Sequence, residues 1–275
     1  TSDDELPQLV NAFEEFLAKL PEDGAAIIGV DDPLAASLIE RHRTAATVTF
    51  GFGPRADVRA ANVQFDGLGM RFDVIAGNVC LGTVELGVPG AINVQNALAA
   101  VAVARALEIP FVKIAEGLRE FRGVRRRFDI LTRNDRLIVV DDYAHHPTAV
   151  RATIAAARQY HQGPVIVAFQ PHRFSRTAFL ARDFADALHG ADRVYLVPVY
   201  AASEAPIPGV SERSIGEPLA NAGTHVTYVP RIDDLDERIF EESARGSLVL
   251  MLGAGNITDV AAKLARRVEG ANVHA

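Results

Sequence analysis

The residues best suited to chemistry fall in two short clusters. The first is Asp141-Asp142-Tyr143-Ala144-His145-His146-Pro147, and the second is Phe169-Gln170-Pro171-His172-Arg173-Phe174-Ser175-Arg176-Thr177. Arg173 and Arg176 each carry a planar fork of donors that matches a carboxylate bidentately. Two such forks converging would fix a small carboxylate. The competing reading is a solvated helix start whose charges pair with local acids. His172 beside the arginines, and the strand before them, favour a site. In the first cluster a carboxylate can accept ribose hydroxyls, a histidine can contact phosphate, and Tyr143 can offer a flat apolar face. His146 and Pro147 also read as a helix start, with proline in the first turn. Together the clusters describe a site for a nucleotide and an anion.

The elements around the clusters explain why they should meet. Leu137–Val140 and Val165–Ala168 are short apolar runs of the kind that form buried strands, and a helix-like stretch follows each cluster. From residue 136 onward, strands are expected near 137–141, 165–169, 193–198, 225–229 and 247–251. Helices are expected near 148–160, 177–189, 211–221, 233–242 and 257–268. That rhythm predicts parallel βαβ units in a doubly wound α/β sheet, whose ligands bind beyond the carboxyl ends of the strands. Residues 201–209, with Pro206 and Pro208, read as a loop at one strand end.

The amino-terminal part reads differently. Residues 4–20 have helical spacing of leucine, valine and phenylalanine, and Ala25–Val30 is a short apolar strand. Between 46 and 88, alternating segments broken by Asp66-Gly67 and Gly77-Asn78 predict antiparallel hairpins. Helices are expected over 93–108 and 111–121. The basic stretch Arg122–Phe128 marks a boundary, giving expected domains of 1–124 and 125–275.

The remaining candidates are weaker. Asn93 and Asn96 share one helix face and could satisfy the donor and acceptor edges of a base, although Asn93 alone suits a helix cap. Of Arg125, Arg126 and Arg127, one is expected to face a phosphate and the others solvent. Gly253-Ala254-Gly255 lacks the third glycine of a dinucleotide turn and reads as a plain tight turn. Cys80 is expected to be a buried structural thiol, and His42, His161 and His189 to lie at the surface. No metal-ligand spacing, nucleophile motif or Gly-x-x-x-x-Gly-Lys-Ser/Thr loop occurs. A net charge of −7 argues against nucleic acid as a partner. The lack of long apolar runs or an export signal predicts a cytoplasmic protein without a membrane partner.

Four motifs, in order, resemble the Mur ligase family of peptidoglycan synthesis. They are Pro89–Ala97, Phe121–Phe128, Asp141–Pro147 and Phe169–Thr177. The last, with Tyr200-Ala201-Ala202-Ser203-Glu204, resembles the alanine-adding branch. The resemblance implies an ATP-dependent ligase that joins L-alanine to UDP-N-acetylmuramate through an acyl phosphate. It implies that residues 1–124 are part of a central ATP-binding domain and 125–275 a Rossmann-like amino-acid-binding domain. The phosphate loop and magnesium ligands lie upstream in the family, so the chain is expected to be a truncated piece, inactive alone. Its shortened first domain would expose an apolar face through which copies could associate. By this resemblance Asn93 and Asn96 contact adenine, Asp142 the ribose, and Arg127 and His145 the ribose–phosphate side. His172, Arg173 and Arg176 hold L-alanine and the muramate end, with Tyr143 lining the site. Ala91-Ile92 stands where the family usually has Arg-His, so an adenine could pack there but not hydrogen-bond. Other readings are a non-catalytic nucleotide- or amino-acid-binding module, and a sister ligase adding another amino acid.

Overall fold

A computed structural model describes residues 5–41, 46–67 and 69–272; His42 lies outside them. The chain divides into two compact units, Thr1–Arg122 and Gly123–Ala275.

In the first unit the order is α1 (Glu5–Leu17), β1 (Ala25–Gly29), α2 (Pro33–Arg41), β2 (Ala46–Gly51), β3 (Val58–Asp66), β4 (Gly69–Ala76), β5 (Val79–Leu86), α3 (Ala91–Ala106) and α4 (Phe111–Glu120). The five strands lie in sequence order. The expected hairpins are β3-β4-β5, which are antiparallel. The segment before them is not part of a hairpin: β2 runs parallel to both β1 and β3. Phe72, Val74 and Val84 are fully buried beneath α3, which buries Val94, Ala97, Leu98, Val101 and Ala102 at helical spacing. Cys80 is exposed, contrary to expectation. It shares parity with buried Val84 and Leu86, but the pairing shifts register between Val74 and Ile75 and breaks the alternation. Leu9, Phe13 and Phe16 of α1 are also exposed.

In the second unit the order is β6 (Asp129–Arg133), β7 (Leu137–Asp142), α5 (Pro147–Tyr160), β8 (Val165–Phe169), α6 (Phe174–Phe179), α7 (Ala181–Leu188), β9 (Arg193–Leu196), α8 (Arg213–Asn221), β10 (His225–Tyr228), α9 (Leu235–Glu242), β11 (Ser247–Leu252) and α10 (Ile257–Asn272). The sheet order is β10-β9-β8-β11-β7-β6. All neighbours are parallel except the antiparallel edge strand β6, which the sequence did not announce. The central strands are buried on both faces, so they read as unbroken apolar runs.

Strand period decides where the acids point. Ile138, Val140, Leu250 and Val167 pack in one layer with residues of α5, α7 and α8. Leu137, Val139, Val249 and Ile166 pack in the other, with α9 and α10. Asp141 and Asp142 continue this alternation at the end of β7. Asp142 meets Thr153 of α5, and Asp141 meets Thr258 of α10. Among the described residues no helix is long and apolar enough to cross a membrane.

Candidate functional site

The carboxyl ends of β7 and β8 present the two clusters, flanked by the segments that follow β9 and β11. His146 is the residue before helix α5 and Pro147 occupies its first turn, as the helix-start reading expected. Just before that turn, His145 Nδ1 lies 2.8 Å from the Tyr143 carbonyl oxygen. The rings of Tyr143 and His145 meet edge-on at 4.9 Å, and those of His145 and His172 at 5.8 Å. The two clusters are therefore in contact, through rings well separated in sequence.

At the end of β8 the backbone is unusual. Arg173 stands before α6 with φ 72° and ψ 138°, a left-handed conformation costly for a side chain larger than glycine. Ala202 and Ser203, in the loop after β9, also have positive φ, 48° and 74°. Hydrogen bonds hold these two segments together. Tyr200 N donates to Pro171 O and Arg173 N to Tyr200 O, both at 2.8 Å. Ser175 donates to Glu204 from its amide at 3.0 Å and from its hydroxyl at 2.7 Å. Arg173→Gly should relieve the strained backbone and raise stability by about 1 kcal/mol. A rise of roughly 2–4 °C in Tm, measured by calorimetry, would express that. An unchanged or lowered Tm would mean that the conformation is not strained.

Arg176 and His172 are half-buried, and Arg176 Nη1 and His172 Nδ1 are buried atoms with no hydrogen-bond partner. An unpaired guanidinium donor shielded from water is costly and calls for an anion. Burial, and then the positive charge of Arg176, lower the pKa of His172. Burial lowers that of His145, against the opposing effect of its contact with the Tyr143 carbonyl. Both shifts favour the neutral imidazole. Arg173 and Arg176 then supply two positive charges and Glu204 one negative, a balance suited to a monoanion.

Glu204 is held below the ordinary glutamate range, first by the Ser175 amide and then by its hydroxyl. A lowered carboxylate contributes stability above its unfolded pKa and loses it as pH falls through the folded value. Glu204→Gln should therefore flatten the loss of stability below about pH 4.3 in urea titrations. An acid limb of unchanged slope would contradict the linkage. The buried acids behave oppositely. Burial raises both Asp141 and Asp142, so their contribution is present in acid and lost as pH rises through those values.

Asp142 is buried, and its partners are protein groups. Oδ2 accepts from Phe128 N at 2.8 Å and from Thr153 Oγ1 at 3.3 Å, while Oδ1 accepts from Ala144 N at 2.8 Å. The ribose expected there would meet a carboxylate already engaged. In the arginine run, Arg125 and Arg127 are exposed and Arg126 is half-buried. Arg126 Nη2 donates to Gly253 O at 2.7 Å, and its Nε lies 3.6 Å from Asp141 Oδ2. Both Arg126 and Arg127 lie over the Tyr143 ring, at 4.8 and 5.6 Å. Gly253-Ala254-Gly255 forms a bend between β11 and α10. A Cβ at Gly253 would sit 2.9 Å from Gln170 O, and the Gln170 side chain accepts from Ile257 N to cap α10. Neither the Arg126 clamp nor the Gln170 cap has a local sequence signal, because both join residues far apart in the chain.

Asn93 and Asn96 lie on the first turn and a half of α3 in the first unit. Asn93 Nδ2 donates to Pro89 O at 2.7 Å, bracing the Pro89-Gly90 turn, and Asn96 Nδ2 lies 3.5 Å from Asn93 Oδ1. Ile92 is exposed. Of the lone histidines, His189 is exposed and His161 half-buried.

Comparison with known proteins follows the same division. The Mur ligase middle domain profile matches residues 4–104, and the profile described as Mur ligase, glutamate ligase domain matches 126–255. The UDP-N-acetylmuramate–L-alanine ligase of Acidithiobacillus ferrooxidans is 43% identical over 263 residues, covering 94% of this chain and 56% of that protein. The solved UDP-N-acetylmuramate–alanine ligase of Thermotoga maritima superimposes with a TM-score of 0.78 at 26% identity, covering 97% of this chain and 56% of that one. The fold is shared with the MurF ligase of Thermotoga maritima, solved in complex with ADP, at a TM-score of 0.66 and 18% identity; 90% of this chain and 55% of that one are covered. The chain thus spans about half the length of the relatives it matches.

Proposed function

The chain belongs to the Mur ligase family, and on that premise we propose that it carries the amino-acid site and part of the nucleotide site of a UDP-N-acetylmuramate–L-alanine ligase. The observation that carries the reading is the pair of buried, unpartnered atoms Arg176 Nη1 and His172 Nδ1 at the end of β8. A guanidinium whose buried Nη1 has no internal partner suits the carboxylate of a small amino acid. Arg173 supplies a second fork, and Tyr143 walls the site.

In the proposed reaction the γ-phosphoryl of ATP passes to the muramate carboxylate. The L-alanine nitrogen attacks the resulting acyl carbon, loses a proton, and inorganic phosphate leaves. Such chemistry depends on positioning and electrostatic stabilisation. Arg173, Arg176 and His172 orient the alanine and the muramate end. Arg127 and His145 face the ribose–phosphate side of ATP, and Asp142 positions both through Phe128 N and Ala144 N. Asn93 and Asn96 contact adenine in the first unit, where the exposed Ile92 offers an apolar face. The ADP bound by the MurF ligase, which shares this fold, supports the nucleotide reading. Among the described residues no group of three histidine, cysteine, aspartate or glutamate side chains could hold a metal ion.

The test is product formation from UDP-N-acetylmuramate, ATP and L-alanine. A full-length ligase carrying these residues should form product, and the 275 residues alone should form none, since they contain no Gly-x-x-x-x-Gly-Lys-Ser/Thr loop. Ligation by the isolated chain, or preference of the full-length enzyme for a dicarboxylic amino acid, would overturn the proposal.

A further inference from the structure

The Gly253-Ala254-Gly255 turn, which binds nothing in the reading above, is where two series of contacts meet. On one side, a Cβ at Gly255 would stand 2.7 Å from Cγ of Tyr200, so the Tyr200 ring lies directly against this glycine. Tyr200 stacks on His172 with ring centroids 5.6 Å apart and planes 13° from parallel. His172 meets His145, and His145 meets Tyr143, at the edge-on distances given above. On the other side, Arg126 lies over Tyr143 and donates to the Gly253 carbonyl. The contacts close into a circuit from the turn through four rings and a guanidinium back to the turn.

We propose that Arg126 and Tyr200 are positioning residues, bracing the two ends of the ring row against the 253–255 turn and so fixing Tyr143, His145 and His172 in one arrangement. Each ring contact is weak alone and tolerates several geometries. A closed circuit removes that freedom, because no ring can turn without displacing its neighbours. Arg126 is itself fixed at three places. Its Nε faces the buried Asp141 carboxylate, its carbonyl accepts from Tyr143 N at 2.8 Å, and its amide donates to Asp129 at 3.3 Å. Tyr200 is fixed by its two backbone hydrogen bonds to Pro171 and Arg173. Only the consequence for ligand binding rests on the carboxylate reading above.

The test reads the rings directly, by histidine and tyrosine side-chain NMR on the whole chain, which has five tyrosines and no tryptophan. Arg126→Lys keeps the charge but loses the fork. It should shift the Tyr143 ring signals and, beyond them, those of His145 and His172. Tyr200→Leu should shift His172, then His145 and Tyr143, whereas Tyr200→Phe, which keeps the ring, should leave the row in place. Tyr160, Tyr195 and Tyr228 should not move in any variant, and Arg125→Lys should move nothing in the row. Shifts confined to the immediate neighbour, Tyr143 in one variant and His172 in the other, would overturn the proposal. Should Tyr200→Leu fail to fold, the Arg126→Lys result decides alone. A row that responds as expected in a chain that does not bind L-alanine would leave the positioning role standing and remove the carboxylate reading.

Discussion

Arg176→Ala, in a full-length ligase carrying this chain, should raise the KM for L-alanine about tenfold to a hundredfold while the KM for ATP changes little. A charge-assisted hydrogen bond is worth roughly 1.5–3 kcal/mol, which corresponds to that range. The guanidinium nitrogen that the substitution removes is the one buried without an internal partner. Arg173→Ala should act in the same direction but less strongly, because Arg173 is exposed whereas Arg176 is half-buried. Lysine at either position should restore only part of the loss, since a point charge cannot reproduce the planar fork. Steady-state kinetics with each substrate varied in turn separates the two constants. Arginine variants that lose ATP while alanine kinetics stay unchanged would make this end of β8 a phosphate site.

The largest effect on stability is expected at Asp142. Asp142→Ala removes the acceptor for two backbone amides, Phe128 N and Ala144 N, at a buried position. Each orphaned amide costs roughly 1–3 kcal/mol. The relief of burying a charge, which is what raises the Asp142 pKa, offsets part of that. A net loss of about 3 kcal/mol is expected, or roughly 6–12 °C in Tm. Asp142→Asn should cost less, because one oxygen still accepts while the amide group faces the second N–H. Use of ATP should suffer in both variants, through displaced Arg127 and His145. If Asp142→Ala leaves stability intact and removes ATP use, the carboxylate is a direct ribose ligand and its inward hydrogen bonds are secondary.

These two residues also show what the sequence made legible. The Arg173/Arg176 pair could be found because the strand before it is a pure apolar run and the arginines follow at its carboxyl end. The doubly wound sheet was legible for a related reason, as short strand runs, buried throughout in β7, β8 and β11, alternate with helices. Strand β6 was not, since Asp-Ile-Leu-Thr-Arg is short, carries a charge at each end and is interrupted by a register shift. The opposite orientation of Asp141 and Asp142 was available from strand period alone, given that Leu137 and Val139 face one layer and Ile138 and Val140 the other. Their inward engagement was not, because Thr258 lies on a helix remote in sequence and Thr153, though on the next helix, meets Asp142 only through the packing of α5 on the sheet. The choice among Arg125, Arg126 and Arg127 was closed to sequence reasoning. Arg126 and Phe128 take left-handed backbone conformations, φ 61° and 48°, so the run follows neither strand nor helix periodicity. What turns Arg126 inward is the Gly253 carbonyl, more than a hundred residues away.

The central claim, that the Arg176–His172 pair receives the carboxylate of L-alanine, is tested most directly by side-chain NMR. The arginine Nη and histidine ring signals of the 275-residue chain are followed while L-alanine, L-alaninamide or ATP is added. L-alanine should shift the signals of Arg176 and His172, and L-alaninamide, which lacks the carboxylate, should leave them in place at the same concentration. Equal shifts with both compounds, or shifts of these two residues with ATP and none with L-alanine, would contradict it.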